Sequence, residues 1–333
     1  MNKKNNVRIS NNMEKFNNHF EGMKGDDFLV ITHTDMDGII AGSLVADYFK
    51  TKNVVMANYG KGGELGFDYK TVGLEGKDVI FTDYSFSTID NLMAILSKKP
   101  NSLTIFDHHK TTLDLFKNKR FFDVVEFKAA KDGINLFYDI DINRCGAKIT
   151  FDALNSLSLT SYSNAVKRLV ALVDGYDRWK FTPDNLDPVY INDYLYGSTQ
   201  AYIMSPVVTE MLHNNSEAKL NEWIQIGKKF EDVKLKLNEL TASTFAFETE
   251  FHGYKVLAIE ARGNSQLLGN AIDEYPFIVI FHYDNRKKVF TYSLFKRANS
   301  DADILSIVRK YGGGGHTCAC GFVSEQRLVT PAR

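Results

Sequence analysis

Short apolar runs recur along the first half of the chain, and each important one ends on acidic residues. Residues 28–32 lead into His33, Asp35 and Asp37; 78–81 lead into Asp83; 103–106 lead into Asp107, His108 and His109; a further run covers 54–57. Runs this short and rich in branched and aromatic side chains predict strands. Between them, 38–49 carries Ile39, Ile40, Leu44, Val45 and Tyr48 at helical spacing, and 88–97 predicts a helix capped by Ser87. Strands alternating with helices predict a parallel sheet whose carboxyl ends gather the acidic loops.

The pattern then changes. Residues 146–157 and 163–173 have helical spacing, the second delivering Asp174 at its end, and 182–188 reads as loop. A charged segment without proline, from 217 to about 240, predicts a long helix between two domains. Runs at 254–260, 277–281 and 289–295 predict the strands of a second, smaller α/β domain, which closes on Gly312, Gly313, Gly314, Gly315 and His316. The expected organisation is an extension over 1–27, a parallel-sheet domain over 28–190, a helical linker over 191–243 and the smaller domain over 244–333.

Composition narrows the classes. With 333 residues, 44% of them hydrophobic, the chain can bury two cores. The 40 basic and 41 acidic residues nearly cancel, which argues against a binder of long duplex DNA. Cys145, Cys318 and Cys320 are too few for a disulfide framework, and no apolar stretch approaches the ~20 residues of a membrane span. A cytoplasmic protein with a frayed, Asn-rich start is expected.

The acidic and imidazole residues carry the chemistry. In an extended loop residues two apart face the same way, so His33, Asp35 and Asp37 can converge, and Gly38 permits a tight turn into the helix. Adjacent His108 and His109 beside Asp107 suit a metal ligand and a substrate contact, with the carboxylate orienting a ring. Four carboxylates and several imidazoles at one place repel unless cations lie among them. Mixed oxygen and nitrogen donors without thiolate favour Mn²⁺ over a structural Zn²⁺ site. Near the end, the glycines Gly313 to Gly315 before His316 could let an anion approach the backbone, and Arg297 could grip a phosphate. Arg262, Asn264 and Ser265 are weaker candidates for base or ribose contacts, and Lys110, Tyr59 and Arg178 weaker still. The bland alternatives are a helix-capping Asp, a solvated basic strand end and ordinary loop glycines.

These motifs together resemble the DHH phosphoesterase superfamily, with a tail similar to its DHHA1 domain. The matching strings are His33 to Gly38, the isolated Asp83, the triplet Asp107 to His109, and Gly313 to Gly321, over roughly residues 28 to 323. The nearest pattern is that of the two-domain oligoribonucleases, or nanoRNases. The resemblance implies His33 and Asp35 on one Mn²⁺, Asp37, His108 and Asp174 on a second, and Asp83 bridging them. It further implies Asp107 as an orienting group, His109 at the scissile phosphate, and Gly313, Gly314, Gly315, His316 and Arg297 as substrate contacts. Asp177 competes with Asp174 as the fourth-motif ligand. Mg²⁺ or Co²⁺ could replace Mn²⁺. The implied activity is hydrolysis of short oligoribonucleotides to mononucleotides by two-metal activation of water. The alternatives are hydrolysis of cyclic or linear dinucleotides or of 3′,5′-bisphosphate nucleosides, and a nucleotide-binding protein without catalysis. The expected partner is a short RNA or dinucleotide, with no membrane, and a homodimer is the base-rate assembly.

Overall fold

The computed structural model describes residues 8–11, 13–60, 64–157, 162–198, 202–213, 216–263, 265–269 and 271–331. The chain opens with strand β1 (Arg8–Ser10) and helix α1 (Met13–Phe20), followed by β2 (Phe28–Thr32), α2 (Met36–Phe49), β3 (Val54–Met56), β4 (Asp78–Thr82), α3 (Ile89–Leu96) and β5 (Ser102–Asp107). Next come α4 (Lys110–Lys117), α5 (Lys119–Asp132), β6 (Asn135–Asp141), α6 (Gly146–Ser156), α7 (Asn164–Asp177), α8 (Asp187–Gly197), α9 (Pro206–His213) and α10 (Glu217–Phe245). The strands form one sheet in the order β1-β6-β5-β4-β2-β3. All pair in parallel except β1, which runs antiparallel along the edge of β6. Every residue of β2, β4 and β5 is buried, as expected where helices cover both faces of a parallel sheet.

The expectation of a frayed extension is wrong for the described part of 1–27. Phe16 and Phe20 lie one turn apart on α1, both 0% exposed, and their rings pack edge-on at 4.7 Å. Phe16 also meets Phe106 at 5.5 Å and Phe137 at 5.6 Å. Burial of such a ring contributes about 1.5–3 kcal/mol, enough to hold a polar-looking segment on the sheet. Other differences are local. Thr88, not Ser87, caps α3, its hydroxyl accepting the Asn91 N–H. Helix α7 runs beyond 173 to Asp177, and the expected loop at 182–188 gives way to α8 from Asp187.

Contacts divide the chain into two units, Met1–Asn58 with Phe67–Glu231, and Tyr59–Gly66 with Asp232–Arg333. The division falls inside α10, so α8, α9 and the first half of α10 belong to the first unit rather than to a separate linker. The second unit contains β7 (Phe247–Phe251), β8 (Tyr254–Glu260), β9 (Ile278–Asp284), β10 (Val289–Phe295), α11 (Ile304–Arg309), β11 (Gly314–Gly315) and β12 (Ala319–Ser324). Its sheet order is β11-β12-β10-β9-β8-β7, with only the β8–β9 pair parallel among the described strands. Alternation sorts the two faces: Phe281, Tyr292 and Phe322 stack on one, while Ile259, Ile278 and Ile280 pack with Leu267 and Leu268 on the other. No described helix is long and apolar enough to cross a membrane.

Candidate metal centre

The carboxyl ends of β2, β4 and β5 point the same way, as parallel pairing requires, and the three acidic motifs leave from them. After β2, Asp35 caps α2 by accepting the Gly38 N–H at 2.9 Å, and its Oδ2 lies 2.9 Å from His33 Nδ1. Gly38 is needed for clearance: a Cβ there would stand 2.4 Å from the His33 carbonyl oxygen. Asp37 follows in the first turn of α2 and is buried. After β4, Asp83 is buried with φ 51°, a left-handed conformation that Asp tolerates better than most residues. Its N–H donates to the Phe106 carbonyl at 2.8 Å, which ties this bend to β5. After β5, Asp107 Oδ1 accepts the His108 N–H at 2.8 Å and lies 2.7 Å from His109 Nδ1.

Two donor sets emerge with a common member. His33, Asp35 and Asp83 each offer an atom within 4.8 Å of the others, and so do Asp37, Asp83 and His108. His108 Nε2 is 3.0 Å from Asp83 Oδ1 and 3.4 Å from Asp37 Oδ2. Asp83, Asp107 and His109 form a further set of the same tightness.

The fourth motif departs from expectation. Asp177, one turn beyond Asp174 on α7, brings Oδ2 to 3.4 Å from His108 Nδ1. Asp174 is engaged otherwise: Oδ1 accepts the Cys145 N–H at 2.8 Å and Oδ2 the Lys180 ammonium at 3.1 Å. Of the two fourth-motif aspartates it is thus Asp177 that lies beside His108, on the ring nitrogen opposite the one facing Asp37 and Asp83, because the helix continues one more turn. Sequence reasoning also missed Gly146 and Ala147, whose N–H groups donate to Asp37 Oδ2 and Oδ1, both at 2.7 Å. Backbone donors have no sequence signature; only the onset of a helix at 146 pointed to them.

Electrostatics support a cation site. Burial first, then the charges of Asp37, Asp35, Asp177 and Asp107, push Asp83 well above the usual carboxylate range. Burial and Asp177 raise Asp37 to about 6; burial and Asp35 raise Asp177 to about 7. Desolvation alone would raise Asp35 and Asp107 too, but His33 and His109 respectively hold them well below that range. Burial opposes charge on His109, yet Asp107 overrides it and lifts the ring to about 9; burial, then His109, lower His108. Asp83 Oδ2 and Asp177 Oδ2 have no hydrogen-bond partner among the described residues. Buried carboxylate oxygens without donors, crowded by like charge, and neighbouring imidazole nitrogen fit divalent cations.

The C-terminal candidates are arranged differently. Gly313 fits because a Cβ would come 2.2 Å from the Gly321 carbonyl oxygen, so the glycines let β11 close on β12. The N–H groups of Gly313 and His316 donate to the Val308 and Ala319 carbonyls. Arg297 follows β10 and makes a two-point contact with Asp273 at 2.9 and 3.4 Å. Ser265 is buried, Arg262 is exposed, Lys110 pairs with Asp114, Arg178 lies 3.7 Å from Asp174, and Asn264 lies outside the described residues.

No protein-family model and no curated protein matches the chain. Among solved structures it resembles the DHH domain of a member of the s1p family of ribosomal proteins, with a TM-score of 0.58 and 12% identity over 94% of this chain and 86% of that one. It also resembles an exonuclease RecJ bound to manganese, with a TM-score of 0.50 and 11% identity over 94% and 90%. A pGpG-specific phosphodiesterase from Vibrio cholerae matches with a TM-score of 0.45 and 13% identity over 89% and 92%. The first two likenesses show that the chain shares its α/β fold with these structures, one of them a DHH domain, as the resemblance implied.

Proposed function

We propose that the protein is a divalent-metal phosphoesterase, a Mn²⁺-dependent phosphodiesterase that hydrolyses short oligoribonucleotides to mononucleotides. The observation that carries the reading is the pair of donor sets sharing Asp83, next to His109 held by Asp107. His33 and Asp35 would hold one cation, Asp37, His108 and Asp177 the other, and Asp83 both. Two such ions, when bound, would supply an activated water and offset the charge that grows on an in-line phosphoryl transition state. The protein's own groups do the rest. Asp107 holds the His109 ring through Nδ1 and favours its charged form, so its other nitrogen would suit a phosphoryl oxygen. Gly313, Gly314, Gly315, His316 and Arg297 are the proposed substrate contacts, with Arg297 exchanging Asp273 for a phosphate. The manganese bound to the RecJ-like neighbour and its exonuclease name support Mn²⁺ and a nucleic-acid substrate.

The test is product analysis of the pure protein with Mn²⁺, offered a labelled RNA trimer, a 24-mer, linear and cyclic dinucleotides, and a 3′,5′-bisphosphate nucleoside. Conversion of the trimer with the 24-mer untouched is the expected result. Preference for a dinucleotide or bisphosphate would move the substrate assignment, and no hydrolysis of any would overturn the reading.

A further inference from the structure

Three consecutive N–H groups at the start of α6 are divided between two aspartates. Asp174, on α7, takes the Cys145 N–H at 2.8 Å; Asp37, on α2, takes those of Gly146 and Ala147, each at 2.7 Å. The first N–H groups of a helix have no acceptor within it and form its positive end, so carboxylates are favoured there. Each oxygen of Asp37 receives one backbone donor, which fixes the plane of the carboxylate and leaves a lone pair on each for a cation. The fit is close: a Cβ on Gly146 would lie 2.5 Å from Asp83 Cβ and 3.2 Å from Asp37 Oδ2. Asp174 is itself held from the other side by Lys180 at 3.1 Å, with Arg178 3.7 Å away.

We infer that Asp174 is a positioning residue rather than a metal ligand, and that it acts through the first turn of α6 to orient Asp37 in the cation site. The inference rests on the two-cation reading above. Losing the Asp174 acceptor frees the Cys145 N–H and lets the helix start drift, and Asp37 then loses its angle to His108 and Asp83. Replacing a group that orients a ligand costs about 10- to 100-fold in metal affinity without removing the site. Replacing a ligand removes it.

The experiment compares the full chain with Asp174→Ala, Asp174→Asn, Gly146→Ala and Asp177→Asn. Mn²⁺ stoichiometry and affinity are read by isothermal titration calorimetry, the coupled ion pair by electron paramagnetic resonance, and folding by circular dichroism. Asp174→Ala is expected to keep two ions with one bound about tenfold or more weakly, whereas Gly146→Ala, whose Cβ would press on Asp83 at 2.5 Å, is expected to weaken both. Asp174→Asn, whose Oδ1 can still accept the Cys145 N–H, is expected to rescue that affinity to within about threefold, on the scale of one retained hydrogen bond. Asp177→Asn should lose one ion outright. Loss of an ion from both Asp174 variants would make Asp174 a ligand, and wild-type affinity in Asp174→Ala would show that it positions nothing; either overturns the inference. A wild-type protein that binds no pair of Mn²⁺ ions overturns the two-cation reading itself, whatever the variants do.

Discussion

Replacing Asp177 by asparagine should make the metal-free protein more stable while costing it a cation. Asp177 is raised from 3.8 to about 7, first by burial and then by Asp35. An acid whose folded value is raised contributes stability below its unfolded value and loses it as pH climbs through the folded one. In the absence of metal, wild type should therefore lose stability between about pH 4 and pH 7 on this account. At 1.36 kcal/mol per pH unit the full penalty is on the order of 4 kcal/mol at pH 8 and shrinks to a small fraction of that by pH 4. The carboxamide also gives up attraction to His109 and His33, so about half the penalty, ~2 kcal/mol, should appear as a gain at pH 8. For a unit of this size that is roughly 4–8 °C in Tm. Differential scanning calorimetry of chelator-treated protein at pH 4, 5 and 8 measures it. Added Mn²⁺ should reverse the order, because wild type gains binding energy that the variant lacks. A variant that melts at or below wild type at pH 8 without metal, or by the same margin at every pH, would refute the idea that crowded carboxylates strain the metal-free site.

Other outcomes follow from the same geometry. Asp83→Asn should abolish Mn²⁺-dependent hydrolysis and weaken both ions, as calorimetric titration would show; normal turnover would remove the shared-ligand assignment. Asp107→Asn removes the charge that lifts His109, so the alkaline limb of the kcat/KM profile should move to lower pH, and an unmoved limb would take His109 out of the reaction. Gly227→Ala puts a Cβ 1.8 Å from the Tyr190 carbonyl oxygen where α10 crosses α8, and urea melts should register a loss of about 1–3 kcal/mol. Phe16→Ala should cost about 3–5 kcal/mol in the same assay if α1 belongs to the core, and close to nothing if it is an appendage.

Much of the sheet was legible because its central strands are short, mainly apolar runs, each leading within three residues into an Asp. Strand β6 was not, since its run alternates Phe137, Tyr138 and Ile140 with Asp139 and Asp141, acids that Arg144 neutralises at 2.8 Å each. Helix α1 was hidden by asparagines, with only Phe16 and Phe20 marking its buried stripe. His33, Asp35, Asp37, Asp83 and His108 could be read as one cluster because strand ends fix where loops begin. Asp174 and Asp177 could not be separated in that way: their relative direction depends on whether a helix stops or turns once more, and α7, which packs on α8, runs on to Asp177.

The left-handed backbone at Asp83 also bears on how such a protein can change. Asparagine and glycine tolerate φ 51° as well as or better than aspartate does, and either is a single-nucleotide step from an aspartate codon. A lineage released from selection for hydrolysis could therefore cross this position without damage to the fold, and would also shed a buried charge. On the proposed reading, loss of hydrolysis would be structurally downhill here, and an intact Asp83 among relatives of this chain would be a sign of continued selection for that chemistry.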